Sequence, residues 1–198
     1  MAGPPHKRAT YDDLYTIPEH SVGQIIDGEL IVTPPQSRHH ALAAGVLSAK
    51  VSWSYVLGKD GGPGGWIVLF GSEVKLGEDI LVPDLAGWRK ERFPEVEETN
   101  WISVCPDWVC EILSPSTIRV DKIKKMTIYA RHNVGHFWLI DPAAKTLDVL
   151  RLESGRWVVL GVYADNDKVR AEPFEQAEIS LGSLWLEQAV ATKSASSE

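Results

Sequence analysis

Long apolar runs are missing from this chain. None approaches the roughly 18 residues that a membrane-spanning helix requires. The opening MAGPPHKRA also lacks the apolar centre of an export signal. The sequence therefore predicts a cytoplasmic protein with no membrane partner. Cysteine is scarce: there are two, Cys105 and Cys110, with Pro106 between them. Their odd separation points side chains on a shared strand to opposite faces, which predicts structural thiols and not a disulfide, and two thiols alone make no zinc site. A surplus of positive charge is absent as well. A formal net charge of −7 excludes coating nucleic acid by bulk electrostatics. It still permits a local basic strip, since Arg119, Lys122, Lys124, Lys125 and Arg131 face one acid, Asp121, between Pro115 and Gly135. No Gly-rich phosphate loop, Ser-His-Asp series or zinc-ligand cluster is present.

What is there suits one domain. A chain of 198 residues, 44% hydrophobic and 24% charged, can bury a sizeable core. The expected division is a flexible start over 1–9, a single domain over 10–188 and a flexible tail over 189–198. TYDDLYTI (10–17) reads as a short helix capped by Thr10. QIIDGELIV (24–32) reads as a hairpin around Asp27-Gly28. Leu42, Val46, Leu47, Val51 and Tyr55 give residues 39–57 a helical period. WIVLFGSEVKL (66–76) and DILVPDLAGW (79–88) predict two strands, and a short helical turn is expected around Arg92 to Glu95. Asp107 to Leu113 predicts a strand, Arg119 to His132 a helix, and HFWLID (136–141) another strand. TLDVLRL and RWVVLGVY predict a second hairpin, and residues 178–188 a short closing element. The order favours a mixed α+β fold of the α/β kind, with a central mixed β-sheet flanked by helices and an N-terminal β-hairpin.

The chemistry gathers around two carboxylates. Glu111 interrupts the apolar run DWVCEIL, and Asp84 interrupts DILVPDLAGW. Burying a polar group without a partner costs roughly 2–7 kcal/mol. Neighbouring strands lie about 4.8 Å apart, so the two acids can converge, and close carboxylates repel until one takes up a proton. A divalent cation resolves that conflict. Two carboxylates, a backbone carbonyl such as that of Ile112, and waters suit Mg²⁺ or Mn²⁺. Asp121, Lys125 and Tyr129, spaced by four, share one helical face. From there Lys125 could orient a water, assist a deprotonation or neutralise charge on a phosphate. The spacing equally fits a surface Asp121–Lys125 ion pair worth about 0–1 kcal/mol. Glu73 is an outside candidate for a third acid, Ser114 and Ser116 fit turn and cap roles, and Trp88 and Trp101 are candidates for a site mouth.

Taken in order, Pro83-Asp84, Glu111 followed by SPST, D-x3-K-x3-Y over 121–129 and GHFWLIDP over 135–142 resemble the Uma-two family of endonucleases. That family lies within the PD-(D/E)xK restriction-endonuclease-like superfamily. IIDGELIVTPP and the following His39 extend the likeness to about residues 10–185. The resemblance implies a restriction-endonuclease-like core and DNA as partner, with a homodimer where both strands are cut. It implies Asp84, Glu111 and Lys125 as catalytic residues, and Asp84, Glu111 and Ile112 around Mg²⁺ or Mn²⁺. Gln24, His39, Asp121 and Tyr129 are then accessory candidates. Two departures stand out. The superfamily's lysine position, two residues after the second acid, holds Leu113. Gln24 stands where the family tends to carry an acid. The resemblance thus implies a metal-dependent endodeoxyribonuclease; the alternative is a catalytically weakened nuclease-fold module that binds nucleic acid or protein.

Overall fold

The computed structural model describes residues 8–93 and 99–185. Thr10 opens a 3₁₀ turn (Tyr11–Thr16) by donating its backbone N–H to Asp13, 2.7 Å away. Strands β1 (Val22–Ile26) and β2 (Glu29–Thr33) form the expected hairpin. Its two central residues, Asp27 and Gly28, are left-handed at φ 53° and 81°, as a two-residue hairpin turn favours. Helix α1 (Arg38–Val51) begins at Ser37, whose hydroxyl accepts from the His40 N–H, and continues as a π-helical turn (Ser52–Val56).

Next come β3 (Trp66–Phe70), β4 (Glu73–Leu76), β5 (Asp79–Leu81), β6 (Leu85–Arg89), β7 (Trp101–Ile102) and β8 (Trp108–Ile112). A π-helical segment (Val120–Lys125) leads into α2 (Met126–Arg131). The chain then forms β9 (His136–Asp141), β10 (Thr146–Glu153), β11 (Arg156–Ala164), β12 (Lys168–Val169) and β13 (Ile179–Ser180), with a closing 3₁₀ turn (Leu181–Leu184). The helical turn expected near residues 92–95 falls at Lys90–Arg92, and Glu95 lies outside the described residues. So do residues 1–7 and 189–198 of the expected flexible ends.

The mixed α+β class holds, with the sheet divided. One sheet has six strands in the order β11-β10-β9-β8-β6-β3, and another has five in the order β2-β1-β5-β4-β7. Each contains one parallel pair, β8 with β9 and β4 with β7. The two long strands expected over 66–88 are a correction: they are four, and both cross from one sheet to the other. Gly71, at φ 57°, ends β3, and Pro83 separates β5 from β6 because it has no N–H to give a ladder.

The period of two then sorts the side chains of the six-stranded sheet. Trp108, Cys110 and Ile112 of β8, with Trp138 and Ile140 of β9, pack under α1 around Phe174. Phe174 meets Tyr55, Trp66, Trp108 and Trp138 edge-on, the arrangement ring quadrupoles prefer. Val109, Leu113, Phe137 and Leu139 face the other way, against α2 and the five-stranded sheet. Glu111 has the parity of Val109 and Leu113, so it points into that second layer. Cys105 and Cys110 are both free thiols.

A carboxylate-lysine cleft between the two sheets

Asp84 stands just before β6, whose Leu85 pairs with Cys110; continuing that antiparallel register sets Asp84 beside Glu111. Its Oδ2 accepts the Ile112 N–H at 2.7 Å, so the acid caps the end of β8. Its Oδ1 is 3.0 Å from His40 Nε2 and accepts from Gln36 Nε2 at 3.1 Å. Glu111, 1% exposed, accepts from Lys125 Nζ at 3.0 Å and from the Tyr129 hydroxyl at 2.5 Å. Lys125 also lies 3.3 Å from Asp121. The Asp121–Lys125 pair therefore exists but is buried, which corrects the surface-pair reading.

Val82 is gripped from both sides: Gln24 Oε1 accepts its N–H at 2.8 Å, and Lys125 donates to its carbonyl at 3.2 Å. These contacts fix the backbone that delivers Asp84. The cleft has a volume of about 540 Å³ and is walled by Pro34, Pro35, Phe70 and the Ser114–Thr117 turn over a floor of Asp84, Glu111, Asp121 and Lys125.

Of the residues singled out in the sequence, the fold brings together Asp84, Glu111, Ile112, Lys125, Asp121, Tyr129 and Gln24. Ile112 takes part through its N–H, and Gln24 through an oxygen already spent on Val82. His39 is exposed, and its neighbour His40 is the one that enters. Glu73 lies outside the cleft, accepting from the Tyr11 hydroxyl. Trp88 is fully buried and donates to the Val104 carbonyl, and Trp101 packs on Tyr11; neither lines this cleft. Gln36 and His40 were the residues missed. Their spacing of four was a signal for one shared face, obscured because Gln36 precedes the Ser37 cap. The basic strip is divided: Lys125 points inward, Lys124 pairs with Glu29 at 2.7 Å, and Arg119, Lys122 and Arg131 stay outside.

Charge in the cleft is lopsided. Burial pushes the Glu111 carboxyl up to about 8; Lys125 opposes the rise, and Asp121 and Asp84 add to it. Asp121 is raised by burial against the pull of Lys125. Burial alone would lower Lys125, but Glu111, Asp121 and Asp84 outweigh it and the ammonium holds its proton more tightly. Tyr129 is raised by burial and by Glu111. Each of these groups shifts toward keeping its proton, as expected where three carboxyl groups surround one ammonium. The hard oxygen donors fit a small divalent cation, which would displace the protons these acids hold. Among the described residues no three His, Cys, Asp or Glu side chains already surround one point as ligands; Gln36, His40, Lys125 and Tyr129 hold the oxygens.

The family model of Uma2, "Putative restriction endonuclease", matches residues 9–183. The chain belongs to the Uma2 family. Nuclease is accordingly the activity that membership points to. The fold is similar to the crystal structure of a "putative nuclease belonging to DUF820" from Anabaena variabilis, with a TM-score of 0.70 and 23% identity, covering 89% of this chain and 97% of that one. At that identity the likeness speaks for the fold alone. Among curated proteins none matches. Within the Uma2 scaffold the departure at Leu113 gains a physical account: that side chain packs in the second core, and the ammonium arrives at Glu111 from the helix instead. Among the described residues no helix is long and apolar enough to cross a membrane.

Proposed function

We propose that this chain is a metal-dependent endonuclease that hydrolyses DNA phosphodiester bonds in the cleft between its sheets. The observation that carries the reading is the meeting of two carboxyl groups, Asp84 just before β6 and Glu111 on β8, with a helix-borne ammonium, Lys125, in a buried cluster where Asp121 adds a third acid. Asp84 and Glu111 would hold Mg²⁺ or Mn²⁺, with the Ile112 carbonyl beside them. Such an ion, when bound, lowers the pKa of a coordinated water and offsets charge on the phosphate. Lys125 keeps its proton, so it acts as a fixed positive charge and hydrogen-bond donor and not as a base. Tyr129 orients Glu111 from the other side, and Gln36 and His40 orient Asp84.

The decisive experiment follows nicking of supercoiled plasmid and of a single-stranded DNA circle with Mg²⁺ or Mn²⁺ by the purified protein and by Asp84→Asn, Glu111→Gln and Lys125→Met, each checked for folding by circular dichroism. The expected loss is about 10²–10³-fold for each variant, typical of removing a preorganised charge. Equal nicking by the folded Asp84→Asn and Glu111→Gln proteins would sink the assignment. Absence of nicking of both DNA forms in every sample, wild type included, with DNA binding retained would favour the non-catalytic module.

A further inference from the structure

Phe70 closes β3 with 53% of its surface exposed, and it belongs to neither core. Leaving a phenyl ring in water forgoes the stabilisation that burial would bring. The ring nevertheless lines the cleft, and its position is tied to the proposed centre. Phe70 pairs with Leu85, the residue after Asp84, and the Gly71 N–H donates to the Asp84 carbonyl at 3.2 Å. On its other side a shallow groove runs along α1, lined by Ala41, Gly45 and Ser48, whose side chains are too small to cover it.

The cleft is also poor in cations. Among the described residues that line it, Lys125 is the one lysine or arginine, and its ammonium is committed to Glu111 and Asp121. Duplex and single strand both draw on Lys and Arg for their phosphates, the duplex more steeply, and this lining offers none free. What it offers is an aromatic face, which attracts bases through stacking, and stacking needs a base face that duplex neighbours do not cover.

We propose that Phe70 is a stacking platform for an unpaired nucleobase beside the scissile phosphodiester, so that the substrate is single-stranded DNA or an unpaired end. This rests on the reading of the cleft as a DNA-hydrolysing site and specifies its substrate class.

The test measures binding of a short fluorescein-labelled oligo(dT), its abasic counterpart and a blunt duplex to wild type, Phe70→Ala and Phe70→Trp in EDTA, by anisotropy. Phe70→Ala is expected to weaken oligo(dT) binding about 5- to 100-fold. Phe70→Trp restores it, and the abasic strand binds wild type and Phe70→Ala alike. Equal oligo(dT) binding by wild type and Phe70→Ala overturns the proposal, as does the absence of measurable wild-type binding or an equal loss on the abasic strand. The two readings separate cleanly. Asp84-dependent nicking with Phe70-independent binding removes the platform and leaves the nuclease. Phe70-dependent binding without hydrolysis of any DNA removes the nuclease and leaves the platform.

Discussion

Glu111 is almost wholly buried on the cleft floor, where a lysine, a tyrosine and two further acids compete to set its charge. An ordinary carboxyl of this type titrates near 4.5, and in this fold it is pushed up to about 8. Between those values the folded protein keeps a proton that the unfolded chain has released. The contribution of this group to stability is therefore fully present below about pH 4.5 and drains away as the pH rises through about 8. In EDTA, thermal melts should show wild type losing ground to Glu111→Gln, which cannot ionise, across that window, with the gap constant above it. Parallel curves would mean that Glu111 titrates normally. At this scale the sequence was informative about charge and blind to half-turns. A lone acid in an apolar strand flagged both Asp84 and Glu111, and a spacing of four put Asp121, Lys125 and Tyr129 on one face. Choosing His40 over His39 depends on where the helix starts, and that is set by the Ser37 cap and the rotation it fixes.

Strand β6 links the aromatic core to the cleft. Its Gly87 lies under Trp108 and Trp66, and a Cβ there would stand 3.1 Å and 3.3 Å from their rings. Gly87→Ala should cost about 1–3 kcal/mol, the usual penalty of overpacking, read as a lower urea midpoint with an unchanged slope. No change would mean that the two indoles yield freely. The same stretch shows what could not be read in advance. WIVLFGSEVKL looks continuous because its first five residues are all apolar, and nothing in its alternation reveals that residues on either side of Gly71 join different sheets. The hairpin at Asp27-Gly28 was legible because its turn residues must be left-handed. β7 and β12, with two residues each, are too short to carry any period.

Across the whole molecule, the six-stranded sheet ends in β11, where Val158, Val159, Leu160 and Val162 are exposed on a strand that, among the described residues, has one unpaired edge. Exposed apolar edges invite pairing with other chains, and lysine on an edge discourages it. Val159→Lys with Val162→Lys should lower light scattering on concentration while leaving the melting temperature nearly unchanged; equal scattering would absolve the strand. The mixed α+β architecture was foreseeable from element order, whereas its division into two sheets depended on which strands found each other across long separations. The π-helical approach to α2 has a mechanical corollary. Glu111 rides on a hydrogen-bonded strand ladder and Asp84 caps its end, while Lys125 and Asp121 ride together on the wider-wound π-helical spring beside it. A pull on that spring, delivered through the clasp between the Trp157 indole and the Met126 carbonyl, would withdraw the ammonium while every strand stayed zipped.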